Sequence, residues 1–140
     1  MVKIDGGTEM PHPNADLLRK GYDAFSKGDL DTIRNEVFSP DVVFHVAGRN
    51  PLSGDYRGAD EVFGFFGRLF ELSGGTLVLE LHDVVANDGH AVGLSRLSAQ
   101  REGKTLDGAN GVEVYHVQDG RVTEAWLTTE DNYSFDEFWS

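Results

Sequence analysis

The sequence predicts an α+β fold in which helices gather on one face of an antiparallel sheet. Helical apolar spacing prevails in residues 14–72, with one early strand-like stretch, whereas three turn signals divide residues 76–130 into four strand-length pieces. Helices first and a strand meander after them is an α+β order. Because such long strands have to twist and curve, a helix laid across the sheet is expected to leave a pocket at the open end.

Length, composition and charge limit the classes of function. The chain has 140 residues, 39% of them hydrophobic and 26% charged, which fits one soluble globular domain. Its formal charge is −12, and that field would repel nucleic acids and anionic membranes, so neither is an expected partner. The sequence has no cysteine, so disulfides and cysteine chemistry are excluded and the redox argument leaves the compartment open. Because there is no signal-peptide-like apolar run and no stretch long enough to span a bilayer, a cytoplasmic protein is expected.

The first part of the chain is predicted to contain a lead-in and two helices. Residues 1–13 carry prolines and adjacent glycines without periodicity, so they are expected to be flexible and the domain to span residues 14–140. A first helix capped by Asn14 runs until Gly28 stops it, and Asp29 caps a short second helix.

The middle of the chain is predicted to hold one strand, one loop and a long third helix. Residues 42–46 are β-branched and aromatic, as strands are, and residues 47–58 are rich in Gly, Pro, Asn and Ser. Loops of that length often border a site. Residues 59–72 have helical apolar spacing, and after the meander, residues 131–139 are expected to form a short helix or an extended arm.

Five short motifs follow one another along residues 14–139. They are Ala24-Phe25-Ser26-Lys27-Gly28-Asp29-Leu30-Asp31, Phe38-Ser39-Pro40-Asp41-Val42, Phe44-His45-Val46-Ala47-Gly48, Gly54-Asp55-Tyr56-Arg57-Gly58 and Val117-Gln118-Asp119-Gly120-Arg121-Val122. In this order they resemble the SnoaL-like branch of the nuclear transport factor 2-like superfamily, which includes ketosteroid isomerases and polyketide cyclases. The resemblance implies a cone, a curved sheet wrapped around a long helix, usually in a homodimer that pairs sheet against sheet. One fold of this kind serves many reactions.

The resemblance also implies positions for acid–base groups. The base of the isomerases falls on His45, and their protonated carboxyl donor falls on Glu113. Their tyrosine donor in the first helix falls on Gly21, so that donor is expected to be missing, with Tyr22 next to it on a different helical bearing. Of the three acid–base groups of the isomerases, the carboxyl is thus retained as Glu113, the base is replaced by His45 and the tyrosine is lost. This argues against steroid isomerase activity.

His45 is the predicted general base. Strand alternation places it on the face of Val43 and opposite Phe44, so the imidazole lies at the pocket if the Val43 face looks into the cone. An imidazole can accept a proton near neutral pH. The alternative is that His45 only holds the adjoining loop through a hydrogen bond.

Glu113 and Tyr115 share one face of their strand, and Val112 and Val114 share the other, so either face could line the pocket. Apolar neighbours would raise the pKa of an inward Glu113 and could keep it protonated as a donor, with the Tyr115 hydroxyl nearby. The alternative is a solvated or interface carboxylate, because glutamate is seldom buried without a partner.

Aromatic side chains are the other candidate ligand contacts. Besides Tyr22, they are Tyr56 in the loop at the mouth, Phe63 and Phe66 on the third helix, and Trp126 on the last strand. Each has a structural alternative, since helical phenylalanine stripes are usually core and Trp126 could belong to the core or a dimer interface. The five histidines lack metal-ligand spacing and no phosphate-binding glycine motif occurs, so no metal and no cofactor is expected.

Two hypotheses follow. The first is a cofactor-free isomerase or aldol-type, polyketide cyclase-like enzyme that moves a proton next to the carbonyl of a small apolar ligand. His45 would be its base, and Glu113 and Tyr115 would contact the developing oxyanion. The second is a non-catalytic ligand-binding or dimerisation module of the same fold. A homodimer through the sheet is expected on either hypothesis.

Overall fold

The computed structural model describes residues 12–140, so the lead-in predicted over residues 1–13 lies outside them except for its last two residues. The helices of the described part are α1 (Pro13–Ser26), α2 (Leu30–Thr32), α3 (Ala59–Leu72) and α4 (Asn132–Trp139), and a π-helical turn (Ile33–Val37) follows α2. The strands are β1 (Phe38–Val46), β2 (Gly54–Arg57), β3 (Val78–Ala86), β4 (His90–Arg101), β5 (Lys104–Gln118) and β6 (Arg121–Thr129). The arm predicted as helix or extended chain is therefore a helix.

All six strands form one curved sheet in the order β2-β1-β6-β5-β4-β3. The predicted α+β cone, with a meander and an early strand around a long helix, is confirmed. Two details differ. The sheet is mixed, because β1 runs parallel to β6, and the loop predicted over residues 47–58 contains the short strand β2, which pairs with β1. The residues of β2 have little strand propensity of their own, so pairing with β1 decides their conformation.

Strand β1 starts earlier than the sequence indicates. The turn predicted at residues 39–41 is an irregularity in β1, where the pairing register against β6 shifts between Phe38 and Val43. Pro40 lies in this interval, and a proline is tolerated there because a bulge leaves a residue outside the hydrogen-bond ladder.

Helix α1 begins one residue before the predicted cap. Pro13 occupies its first turn, and the His12 side chain accepts a hydrogen bond from the backbone N–H of Asn14. The predicted capping role of Asn14 is therefore wrong. Its side-chain amide instead donates to the carbonyl of Asn87 at 2.9 Å, which ties α1 to the β3–β4 turn. Gly28, with φ of 71°, follows the end of the helix as predicted.

The core lies between the concave face of the sheet and the helices. Phe66 of α3 packs edge-on against Phe44 of β1, with 5.8 Å between ring centroids. Val42 and Phe44 are 0% and 3% exposed, so their face of β1 is the inner one. Because strand side chains alternate, His45 lies on the outer face. Within residues 12–140, no helix is long and apolar enough to cross a membrane.

Candidate functional site: an apolar cavity with a buried carboxyl

A cavity of about 170 Å³ lies between the inner face of the sheet and helices α1, α3 and α4. Its walls are mostly aliphatic and aromatic, and the side chains of Leu18, Phe44, Phe66, Leu97 and Leu127 are among those that line it. The volume is below the range of drug-sized ligand sites, so the cavity has room only for a small molecule.

Four polar side chains meet on one wall of the cavity. The Tyr22 hydroxyl of α1 donates to Glu113 Oε1 of β5, and the Ser95 hydroxyl of β4 donates to Glu113 Oε2 at 2.9 Å. The hydroxyl oxygens of Tyr22 and Tyr115 are 2.8 Å apart. Because the single hydroxyl proton of Tyr22 points to the carboxylate, Tyr115 is the donor in this second bond. The hydroxyls and the carboxyl thus form one connected buried network.

Burial changes the proton affinity of this network. Removal from water raises the pKa of Glu113, and the hydrogen bonds from Tyr22 and Ser95 offset part of that increase because they favour the charged form. Burial also raises the pKa of Tyr22 and of Tyr115, so both hydroxyls stay neutral donors at physiological pH. The arrangement combines one carboxyl that can accept a proton with neutral donors beside it.

Strand alternation in β5 accounts for the placement of the carboxyl. Glu113 and Tyr115 are each 8% exposed and face the cavity, whereas Val112 and Val114 occupy the outer face. The alternative of a solvated Glu113 does not hold. A buried carboxylate is retained here because two donors satisfy its oxygens.

The helix-1 hydroxyl that was expected to be missing is present. Gly21 lines the cavity and has no side chain, but Tyr22, one residue further, reaches Glu113. A step of one residue turns the bearing on a helix by about 100°. The expectation was wrong because α1 packs over β3 and β4, which brings the Tyr22 hydroxyl within hydrogen-bond distance of Glu113 on β5.

His45 does not lie at the cavity, and its predicted position there is wrong. Its Nδ1 lies 2.7 Å from Asp55 Oδ1 and its Nε2 lies 2.6 Å from Glu124 Oε2. The ring stacks on Trp126 with 5.3 Å between centroids. Hydrogen bonds to Asp55 and then Glu124 raise the pKa of His45. The imidazole thus links β1, β2 and β6 on the outer face. This resembles the alternative considered from the sequence, in which His45 only holds the adjoining loop.

The other predicted aromatic contacts divide between the cavity and its surroundings. Phe66 lines the cavity. Tyr56 lies outside the cavity lining and donates its hydroxyl to a loop carbonyl at 2.7 Å. Phe63 stacks on Phe38 at 6.0 Å behind the cavity wall, and Trp126 lies on the outer face. The placement of Tyr56, Phe63 and Trp126 as cavity residues is therefore wrong, because packing with neighbouring elements turns each one away.

Ser95 belongs to the polar network and was not predicted from the sequence. It faces Gly111 across the β4–β5 pair, which places it diagonally next to Glu113 on the inner face. A small polar residue among apolar inward positions of a strand was the available signal. In the described residues, no group of three or more His, Asp or Glu side chains is arranged to hold a metal ion.

Comparison with known proteins assigns the family. Residues 18–125 match the SnoaL-like domain, and the chain belongs to this family within the NTF2-like fold. It is 36% identical over 126 residues to the uncharacterized protein Rv0034 of Mycobacterium tuberculosis H37Rv, a match that covers 89% of this chain and 95% of that protein.

Solved structures agree with this assignment. Bal32a, from a soil-derived mobile gene cassette, is 36% identical with a TM-score of 0.86, over 91% of this chain and 97% of that chain. IdmH from Streptomyces antibioticus, provisionally assigned as a polyketide cyclase, is 21% identical with a TM-score of 0.67, over 86% of this chain and 93% of that chain. At that identity the likeness to IdmH shows the fold alone.

Proposed function

We propose that the protein binds a small, largely apolar carbonyl compound in the cavity and transfers a proton at the carbon next to the carbonyl, as an isomerase or an aldol-type cyclase does. The observation that supports this is the Glu113 carboxyl, 8% exposed and bonded to neutral hydroxyls inside an apolar cavity. Proton transfer between carbon and a carboxylate is favoured where water is excluded and the carboxylate pKa is raised.

Glu113 takes the role that the sequence suggested for His45. In the first step the proton on the α-carbon moves to the Glu113 carboxylate, and the electron pair of that bond shifts to leave an enolate. The hydroxyl of Tyr115 now donates to another hydroxyl, so it can be redirected to the enolate oxygen more easily than Tyr22, which donates to a carboxylate. Where a carbon–carbon double bond adjoins the enolate, return of the proton from Glu113 to the far carbon of that bond completes an isomerisation. Attack of the enolate carbon on a second carbonyl instead forms the new carbon–carbon bond of an aldol cyclisation, and the resulting alkoxide takes up the proton held by Glu113.

The test is the exchange of α-protons for deuterium in a panel of small cyclic and aromatic ketones, followed by NMR. Wild-type protein is expected to accelerate exchange of at least one compound, and Glu113→Gln is expected to abolish that acceleration while remaining folded. Glu71→Gln on the exposed face of α3 is the matched control and is expected to exchange like wild type. Equal acceleration by Glu113→Gln and wild type would remove Glu113 from the mechanism.

A second candidate function is binding without turnover. Both oxygens of Glu113 already have hydrogen-bond partners, and the remaining lining is mostly apolar, so the cavity can hold an apolar molecule without reaction. The same panel separates the two functions. Chemical-shift changes at the cavity residues without any α-proton exchange would favour the binding module.

We also infer a homodimer through the outer face of the sheet. In the described part of the chain the helices pack on the concave face, and the opposite face presents Val112, Val114 and Trp126 among charged neighbours. An apolar centre with a polar rim of both signs, here His45 beside Glu124, suits a second copy of the same face.

A further inference from the structure

Two glycines lie where a side chain would collide with the polar network. A Cβ atom at Gly93 of β4 would be 2.6 Å from the Tyr22 hydroxyl oxygen. A Cβ atom at Gly111 of β5 would be 2.7 Å from Glu113 Oε2 and 2.7 Å from the Ser95 hydroxyl oxygen. Such distances are well inside van der Waals contact. The network can hold its observed arrangement only if both positions lack a side chain.

Strand register places each glycine opposite a member of the polar network. Gly93 is directly opposite Glu113 in the β4–β5 pair, and Gly111 is directly opposite Ser95. Directly opposed residues on one face of a sheet have Cβ positions about 4.5–5.5 Å apart. Glu113 therefore has a glycine across the ladder and another two residues earlier in its own strand. We call Gly93 and Gly111 together the glycine niche.

Backbone conformation does not explain the glycine niche. Among residues 12–140, nine other glycines have positive φ, which side chains disfavour, but Gly93 and Gly111 do not. Glycine in a strand interior lowers stability and often marks a close approach. Here the side-chain oxygens of Tyr22, Ser95 and Glu113 approach the backbone of the two glycines closely.

We propose that Gly93 and Gly111 are positioning residues, which allow the Glu113 carboxyl to lie along the sheet between the Tyr22 and Ser95 hydroxyls. The proposal rests on the proposed function, in that Glu113 is the proton acceptor there. Neither glycine touches a ligand through a side chain, and both act only through the placement of the carboxyl and its donors.

The two positions differ in how the network can adapt. An alanine at position 111 meets the flexible end of Glu113, which can swing away and lose the hydrogen bond from Ser95. An alanine at position 93 meets the hydroxyl of Tyr22 and lies 3.1 Å from its Cζ atom, so the whole buried ring has to move. Either change takes a donor away from the carboxylate, which raises the pKa of Glu113 further.

The experiment is an NMR titration of the side-chain carboxyl of Glu113 in wild type and in Gly111→Ala. The alanine variant is expected to be folded and to titrate about half a pKa unit or more above wild type, as the loss of one hydrogen bond implies. Gly64→Ala on α3, where a Cβ meets no atom within 4 Å, is the control and should leave the titration unchanged. A Glu113 pKa in Gly111→Ala equal to that of wild type would overturn the proposal.

A mutant cycle tests Gly93 in the same way. Gly93→Ala is expected to raise the Glu113 pKa when Tyr22 is present, and to add little in a Tyr22→Phe background, where the donor that the alanine would displace from Glu113 is already absent. Equal increments in both backgrounds would contradict the role of Gly93, and Gly111→Ala remains decisive if Gly93→Ala fails to fold. These titrations do not depend on turnover. The role of the glycine niche can therefore be confirmed even if the exchange experiment with Glu113→Gln shows no part for Glu113 in proton transfer.

Discussion

The Tyr22 hydroxyl and the Glu113 carboxylate are hydrogen-bonded to each other in one wall of the cavity, although the two residues are 91 positions apart in the sequence. Tyr22 is on α1 and Glu113 is on β5, so the bond connects the helical layer to the middle of the sheet. It is also the contact through which a carboxyl can stay in an apolar enclosure. The stability of the fold and the chemistry of the cavity therefore depend on the same pair.

Tyr22→Phe is expected to destabilise the protein. The ring stays, but the buried carboxylate loses one of its donors, which costs about 1–3 kcal/mol in the free energy of unfolding. Urea unfolding at pH 7 measures the change. Tyr133→Phe, at a side chain that is 90% exposed, is the matched control and should be neutral. A Tyr22→Phe variant as stable as wild type would mean that the hydrogen bond contributes nothing to the fold.

Two choices of strand face show what the sequence could predict and what it could not. Alternation correctly grouped Glu113 with Tyr115 and separated His45 from Phe44. It could not decide which group points inward, because that depends on the element packed against each strand. On β1 the decision is made by Phe66, which packs on Phe44 and leaves His45 outside.

The helical layer shows the same division. Apolar spacing and terminal signals predicted α1 and α3, and the motifs predicted the cone around them. Tyr22 was predicted as a ligand contact, but its hydrogen bond to Glu113 was missed because the reach of the hydroxyl to β5 depends on how α1 crosses the sheet, which no local pattern encodes. Strand β2 was missed for a related reason, since its partner β1 supplies the hydrogen bonds.

His45 is expected to make stability depend on pH. Hydrogen bonds to Asp55 and Glu124 raise the folded-state pKa of His45 above its unfolded value of about 6.5. Its stabilising contribution is therefore fully present below the unfolded pKa and is lost as the pH rises through the raised folded-state pKa. The stability difference between wild type and His45→Gln should be largest near pH 5.5 and smaller near pH 8.5.

Urea unfolding at several pH values measures that difference. His82→Gln, at an exposed histidine of β3, is the matched histidine replacement against which the His45→Gln difference is compared at each pH. A stability difference between wild type and His45→Gln that grows from pH 5.5 to pH 8.5 would contradict the raised pKa of His45. Because His45 lies outside the cavity, ligand binding by His45→Gln is expected to match that of wild type.

Phe66→Ala is expected to lower stability and enlarge the cavity. Phe66 is 7% exposed and contacts the rings of Phe25, Phe38 and Phe44, so its removal should cost about 3–5 kcal/mol. Phe63→Ala is the comparison, because Phe63 is only partly buried and lies outside the cavity lining. Unfolding measurements should give the larger loss for Phe66→Ala, and only that variant should gain affinity for ligands larger than those bound by wild type. The reverse order would show that Phe66 does not limit the cavity.

Trp126→Arg is expected to separate the inferred dimer into monomers. The indole stacks on His45 and meets His116 edge-on on the outer face, so a cation there would oppose a second copy of the same face. Light scattering at micromolar concentration should give a dimer for wild type and a monomer for the variant. Arg96→Glu is the control, because Arg96 lies on the outer face of the sheet on β4, further from the indole. It tests whether any change of charge on this face is sufficient to separate the dimer. A wild-type monomer at that concentration, or a Trp126→Arg variant that stays dimeric, would place the assembly surface elsewhere. Exchange activity that persists in the monomer would show that each cavity is complete within one chain.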